Sequence, residues 1–79
     1  MKYAVVQFKV TRPAVTLASG LAREDAISSA AERYEAKKQA GSLVPATSVM
    51  VLGEAEAALL VAGLVSLRDV RVEYQCGSI

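Results

Sequence analysis

The amino-acid sequence predicts a small α+β domain with the element order β-β-α-β-α-β. Three features lead to this prediction: short stretches in which apolar and polar residues alternate, a long stretch with apolar residues on one helical arc, and a later stretch with almost no polar residues. We expect a four-stranded mixed sheet with both helices on one of its faces. With 79 residues, the chain is expected to form a single domain over residues 1–79.

The first two strands are predicted on either side of a proline. Residues 3–10 alternate as the residues of a half-buried strand do. The inward-facing residues of this strand are Ala4, Val6, Phe8 and Val10. Pro13 fixes φ and removes a hydrogen-bond donor, so the chain is expected to turn there. Residues 14–18 then form a short strand with Val15 and Leu17 facing inward, and Pro13 at its start indicates an edge of the sheet.

A first helix is predicted over Arg23–Gln39. Its apolar residues fall within one arc of a 3.6-residue period. They are Ile27, Ala30, Ala31 and Tyr34. Acidic residues lie in the first turn and lysines in the last turn, which is the order that complements the helix dipole. Gly41 follows at a position where helices often end.

The second half of the chain is predicted to alternate strand, helix and strand. Residues 42–47 are expected to form a loop, and residues 48–52 a strand that is apolar on both faces and therefore central. Gly53 ends this strand, and a second helix is predicted over residues 54–67. Residues 70–76 alternate again and form the last strand. The connection from the third strand to the fourth is expected to cross right-handedly.

The second helix is the most informative part of the sequence, because residues 54–65 carry almost no polar surface. Such a helix cannot lie exposed on a small monomeric domain, so we expect it to be covered on nearly every side. Its larger residues gather on one side of a helical wheel, where they suit a sheet. They are Ala57, Leu60, Val61, Leu64 and Leu67.

The opposite side of this helix is predicted to be a protein interface. The predicted interface residues are Ala55, Ala58, Leu59, Ala62 and Ser66, with Leu59 at the border of the small-residue face. Small side chains let another helix approach closely. Two interpretations stay open: the first helix fills this groove and completes the monomer core, or a second copy or a different protein binds there.

The composition argues against several kinds of protein. The chain has no histidine and one cysteine, Cys76, so neither an intrachain disulfide nor a structural zinc site is expected. Nine basic and eight acidic side chains give a net charge of +1, which is too balanced to predict electrostatic binding of nucleic acid or of an anionic membrane. The apolar stretches are shorter than a signal-peptide core or a membrane span. We expect a soluble, cytoplasmic protein without metal or cofactor.

Candidate catalytic residues are scarce. Without histidine, a general acid or base would have to be a carboxylate or lysine retuned by burial. The carboxylates lie mostly in the first turns of helices, where the helix dipole explains them. Cys76 is predicted to be a buried structural thiol, because activation needs a neighbouring base or cation and only Arg71 and the lysines are available. No catalytic residue is therefore predicted.

A polar sheet surface is also considered, in which Gln7 and Lys9 of the first strand lie beside Arg71, Glu73 and Gln75 of the last. It requires those two strands to be neighbours, and ion pairs such as Lys9 with Glu73 would then explain it. A platform for RNA normally needs two or three exposed aromatic side chains, and only Tyr3 is predicted to face outward.

These features favour a non-enzymatic protein-interaction domain. We expect a homodimer that acts as an accessory, regulatory or inhibitory protein by binding another protein, as many short phage and mobile-element proteins do. The alternative is a small-molecule-binding or enzymatic dimeric α+β barrel, because domains of this length can hold a cleft between sheet and helices. A nucleic-acid platform ranks third.

Overall fold

A computed structural model of the chain describes residues 1–9, 12–41 and 47–77. The element order is the predicted β-β-α-β-α-β, with one 3-10 turn added before the last strand. The elements are β1 (Tyr3–Lys9), β2 (Arg12–Leu21), α1 (Arg23–Gln39), β3 (Thr47–Gly53), α2 (Glu54–Val61), the 3-10 helix Leu67–Asp69 and β4 (Val72–Cys76). Val10 and the predicted loop residues 42–46 lie outside the described residues, whereas Thr47 already belongs to β3.

The four strands form one sheet in the order β2-β1-β3-β4, and each neighbouring pair is antiparallel. The expected mixed sheet is therefore wrong. A parallel crossover would have to carry the chain back along the whole length of β3. α2 has only eight residues, about 12 Å, and the chain enters β4 with Val72 opposite Leu52, near the end at which β3 finishes. The right-handed crossover rule does not apply to this antiparallel pair.

The two helices pack on opposite faces of the sheet, not on one face as expected. α1 buries Ala26 and Ala30 against one face, and α2 buries Ala57 and Leu60 against the other. The sheet residues under α1 are Val5, Val49 and Val51, and those under α2 are Ala4, Val6, Met50 and Leu52. Consecutive apolar residues in a strand point to alternate faces, so both faces of β1 and β3 need cover. Every residue of β3 is buried, which confirms that it is central.

β2 is an edge strand, as Pro13 predicted, but it has ten residues instead of five. Its pairing with β1 shows three register shifts, so β2 contains extra residues, and each of them changes the face of the sheet to which the following side chains point. Val15 is consequently half exposed and does not face inward as expected, whereas Leu17 packs against the residues under α1.

The alternation expected in the last strand is interrupted by a register shift between β3 and β4. Val72 pairs with Leu52 and packs on the α2 side of the sheet, whereas Tyr74 pairs with Val51 and packs on the α1 side. A β-bulge of this kind adds one residue to one strand and reverses the facing of all that follow. Cys76 is half-buried, not fully buried as expected.

Candidate protein-interaction surface

α2 ends earlier than predicted because of Gly63. This glycine adopts a φ of +77°, in the left-handed region that glycine tolerates best. Its N–H donates to the carbonyl of Leu60 at 3.1 Å, and the N–H of Leu64 donates to the carbonyl of Leu59 at 3.0 Å. Together these bonds form a Schellman motif, which satisfies the last carbonyls of the helix and stops it at Val61.

Two glutamates at the start of α2 hold the helix in place on the sheet. Glu54 accepts a hydrogen bond from the backbone N–H of Gly20 at 2.7 Å, and Glu56 accepts one from the backbone N–H of Arg71 at 2.7 Å. From the sequence, helix capping and the helix dipole explained both carboxylates. In the structure they also join α2 to β2 and to the segment before β4, and this fixes which side of the helix faces outward.

Three residues of α2 form the side that packs on the sheet. Ala57 and Leu60 are buried, and Val61 packs beside them against the sheet. These three residues belong to the predicted inward set. Leu64 was predicted there as well, but it lies beyond the end of the helix and is 73% exposed.

The outer side of α2 is apolar and open in the single chain. Ala55, Ala58 and Ala62 are exposed, and Leu59 is 41% exposed. Four of the five predicted interface residues therefore share one continuous helical surface, which Leu64 extends past Gly63. We call the set Ala55, Ala58, Leu59, Ala62 and Leu64 the α2 outer face. The expectation that this segment is covered on nearly every side is not met within one chain.

Ser66, the fifth predicted interface residue, has a different place. It is exposed, but it lies outside the helix and caps the 3-10 turn Leu67–Asp69. Its hydroxyl donates to Asp69 Oδ2 at 2.7 Å and its backbone N–H donates to the same oxygen at 3.1 Å. These two hydrogen bonds lower the pKa of Asp69 below its ordinary value. Ser66 and Asp69 thus shape the turn that follows the α2 outer face.

The first helix does not fill the small-residue groove. Because α1 packs on the opposite face of the sheet, the interpretation in which it completes the core over Ala58 and Ala62 is wrong. Among the described residues, the large hydrophobic side chains that stay exposed are Met1, Val15, Leu59 and Leu64. Two of these four, Leu59 and Leu64, belong to the α2 outer face, beside its exposed alanines.

The polar surface considered from the sequence is not assembled, because β3 lies between β1 and β4. Glu73 instead accepts from Arg23 of α1 at 3.2 Å and pairs with Arg71 at 3.0 Å, so it is not the partner of Lys9. Tyr3 does not face outward either, since it packs beside the residues under α1.

The thiol of Cys76 has a neighbour that the sequence did not suggest. Its sulfur lies 3.3 Å from the hydroxyl oxygen of Tyr74, two residues earlier in β4. The hydrogen bond between them raises the pKa of Tyr74. The contact joins two half-buried side chains of β4.

Comparison with known proteins adds no relative: no family model, no curated protein and no solved structure matches this chain. Within residues 1–9, 12–41 and 47–77, no pocket is detected and no group of three or more potential metal ligands occurs. In the same part of the chain, neither helix is long and apolar enough to cross a membrane. The α2 outer face is a candidate site because its apolar residues are exposed.

Proposed function

We propose that this chain is a non-enzymatic protein-interaction domain, a homodimeric accessory, regulatory or inhibitory protein of the phage or mobile-element type, that binds another protein through the α2 outer face. One observation carries the proposal: a helix fixed to the sheet by Glu54 and Glu56 leaves an unbroken apolar side in solvent. Apolar side chains gathered on one exposed element are typical of interaction surfaces.

The composition of the α2 outer face suits the approach of a second helix or a flat surface. Alanine loses no rotamer freedom on binding, so Ala55, Ala58 and Ala62 become buried at little entropic cost. Their size lets a partner backbone come within the 8 to 10 Å that separates packed helices. Leu59 and Leu64 add larger side chains at one end, and burying a leucine fully contributes about 1.5 to 3 kcal/mol.

The test is capture of a partner from extracts of the native host with matched variants. Ala58→Glu and Leu59→Glu place a charge in the α2 outer face, and Ala36→Glu places the same charge on an exposed position of α1. We expect the wild type and Ala36→Glu to capture the same protein, and both α2 variants to lose it while melting at nearly the wild-type temperature. Equal capture by all four proteins would show that the α2 outer face is not the binding surface.

A further inference from the structure

The open edge of β4 is a second surface that α2 does not explain. In the part of the chain that the structure describes, β4 pairs with β3 on one side and with no strand on the other. The opposite edge of the sheet is protected, because β2 contains Pro13 and three register shifts against β1. β4 contains neither proline nor lysine and has one register shift. An unprotected strand edge offers backbone donors and acceptors to another strand.

The backbone direction at the start of β4 follows from the pairing of β3. The N–H of Glu54 donates to the carbonyl of Lys2 at 3.0 Å, so the next hydrogen-bonded pair between β1 and β3 is Ala4 with Leu52, and Leu52 directs its backbone groups to β1. Val72 pairs with Leu52 from the other side and makes no backbone hydrogen bond with it. Neighbouring residues in a strand direct their backbone groups to opposite sides. The N–H and carbonyl of Val72 therefore point to the open edge. Val70, with φ −116° and ψ 153°, is also extended, but its N–H donates to the carbonyl of Leu67 at 3.4 Å and is not free for another strand.

The side chains next to Val72 are self-complementary. Arg71 is 84% exposed and carries a positive charge, and Glu73, two residues later, carries a negative one, is 15% exposed and also pairs with Arg71 and Arg23 of its own chain. In an antiparallel pair centred on Val72, Arg71 of each copy lies opposite Glu73 of the other. Opposite charges across two strands are stabilising, and like charges there are destabilising. A twofold axis at Val72 produces the favourable pair twice.

We propose that the homodimer forms by antiparallel pairing of β4 with β4 of a second copy about Val72, which joins the two sheets into one of eight strands. This inference rests on the proposed homodimer and leaves the α2 outer face free for the other protein. Val72 of each copy exchanges both backbone hydrogen bonds with Val72 of the second copy. The bulge after Val72 keeps the regular part of the pairing short, so the dimer depends on these bonds and on the two charge pairs.

The test measures mass by light scattering during size-exclusion chromatography, for two charge variants alone and mixed. In a dimer of Arg71→Glu, both cross-strand pairs of positions 71 and 73 would bring two acidic side chains together. In a dimer of Glu73→Arg, the same pairs would bring two basic side chains together. We expect each variant alone to weaken the dimer roughly 30-fold, from the reversal of two cross-strand pairs. We expect their equimolar mixture to regain the dimer, because each acidic edge then faces a basic one. If a substitution weakened the dimer only by disturbing its own chain, mixing the two variants would not restore association.

Three results would overturn the inference, and they separate it from the proposed function. A wild-type dimer that both variants retain refutes the β4 contact but leaves the homodimer. A wild type that is monomeric at millimolar concentration refutes both the contact and the homodimer, while capture through α2 is judged separately. If Glu73→Arg does not fold, Val72→Pro replaces it: loss of the outward N–H should abolish the dimer and keep the fold, whereas a dimeric Val72→Pro refutes the contact.

Discussion

The orientation of α2 makes a sharp prediction about two adjacent leucines. Leu60 is 6% exposed and packs on the sheet with Ala57, whereas Leu59 is 41% exposed on the outer side of the same helix. Truncating a buried leucine to alanine removes its transfer free energy and leaves a cavity, at a typical cost of 2 to 5 kcal/mol. Leu60 lies near the rim of the core, where neighbours can relax into the space, so we expect about 3 kcal/mol for Leu60→Ala.

Leu59→Ala should cost much less, about 1 kcal/mol, because the side chain already contacts water over a large part of its surface. Leu64→Ala, at a position 73% exposed, should change the free energy of unfolding by no more than about 0.5 kcal/mol. With a total stability of about 5 to 15 kcal/mol for a small domain, only Leu60→Ala should threaten folding.

The assay is urea unfolding followed by circular dichroism, with the three variants and the wild type measured side by side. For a denaturant slope of about 1 kcal/mol per molar, Leu60→Ala should lower the midpoint by roughly 3 M and Leu64→Ala should leave it nearly unchanged. Each midpoint is measured at two protein concentrations, because dimerisation makes stability concentration-dependent. If Leu59→Ala costs as much as Leu60→Ala, the helix faces the sheet with a different side, and the α2 outer face is not an outer surface.

Two further predictions concern backbone and pH. Gly77→Ala should destabilise the fold by roughly 2 to 5 kcal/mol, because the φ of Gly77 is +90° and a Cβ would stand 2.5 Å from the carbonyl oxygen of Thr47. Gly63→Ala should cost only the backbone strain of about 1 to 2 kcal/mol, because Gly63 has a φ of +77° but no atom within 4 Å of the added Cβ. Equal melting temperatures of the two variants would contradict this difference. Asp69 has a lowered pKa in the folded state, so its contribution is complete above its unfolded pKa, near 3.8, and is lost as pH falls through the lower folded pKa. Asp69→Asn should therefore be less stable than the wild type near pH 6, and the difference should shrink below about pH 4 in parallel unfolding curves; a constant difference would show that the hydrogen bonds from Ser66 do not depend on the charge.

The sequence predicts the elements of this fold well where the signal is local. The alternation in β1 and the helical period of α1 each depend on neighbouring residues, and both elements are confirmed. β1 is not half-buried as expected, because Val5 is buried on its second face. Pro13 places β2 at an edge because proline lacks a donor, wherever the other strands lie. The face on which each helix packs is not local. The sequence nonetheless indicated that the helices lie on both faces of the sheet, since the third strand is apolar on both sides and needs cover on both sides.

The end of α2 shows a different limit of sequence reasoning. Gly63 interrupts an apolar run that otherwise continues to Val65, and helical periodicity alone carries the prediction through it. The cost of glycine in a helix interior is only about 1 kcal/mol, so its presence does not decide between a weak interior position and a helix end. The hydrogen bonds of Gly63 and Leu64 decide it, and they move Leu64 from the predicted core to the surface.

The short helix α2 uses different residues for folding and for the proposed binding. Ala57 and Leu60 supply the fully buried contacts of this helix, and Glu54 and Glu56 fix its start, so the monomer uses one side and one end of it. The outer alanines contribute little to the core, yet they are apolar where lysine or glutamate would be equally compatible with a helix. We attribute this residue choice to the proposed partner, and we therefore expect a charge at Ala58 to abolish binding before it affects folding.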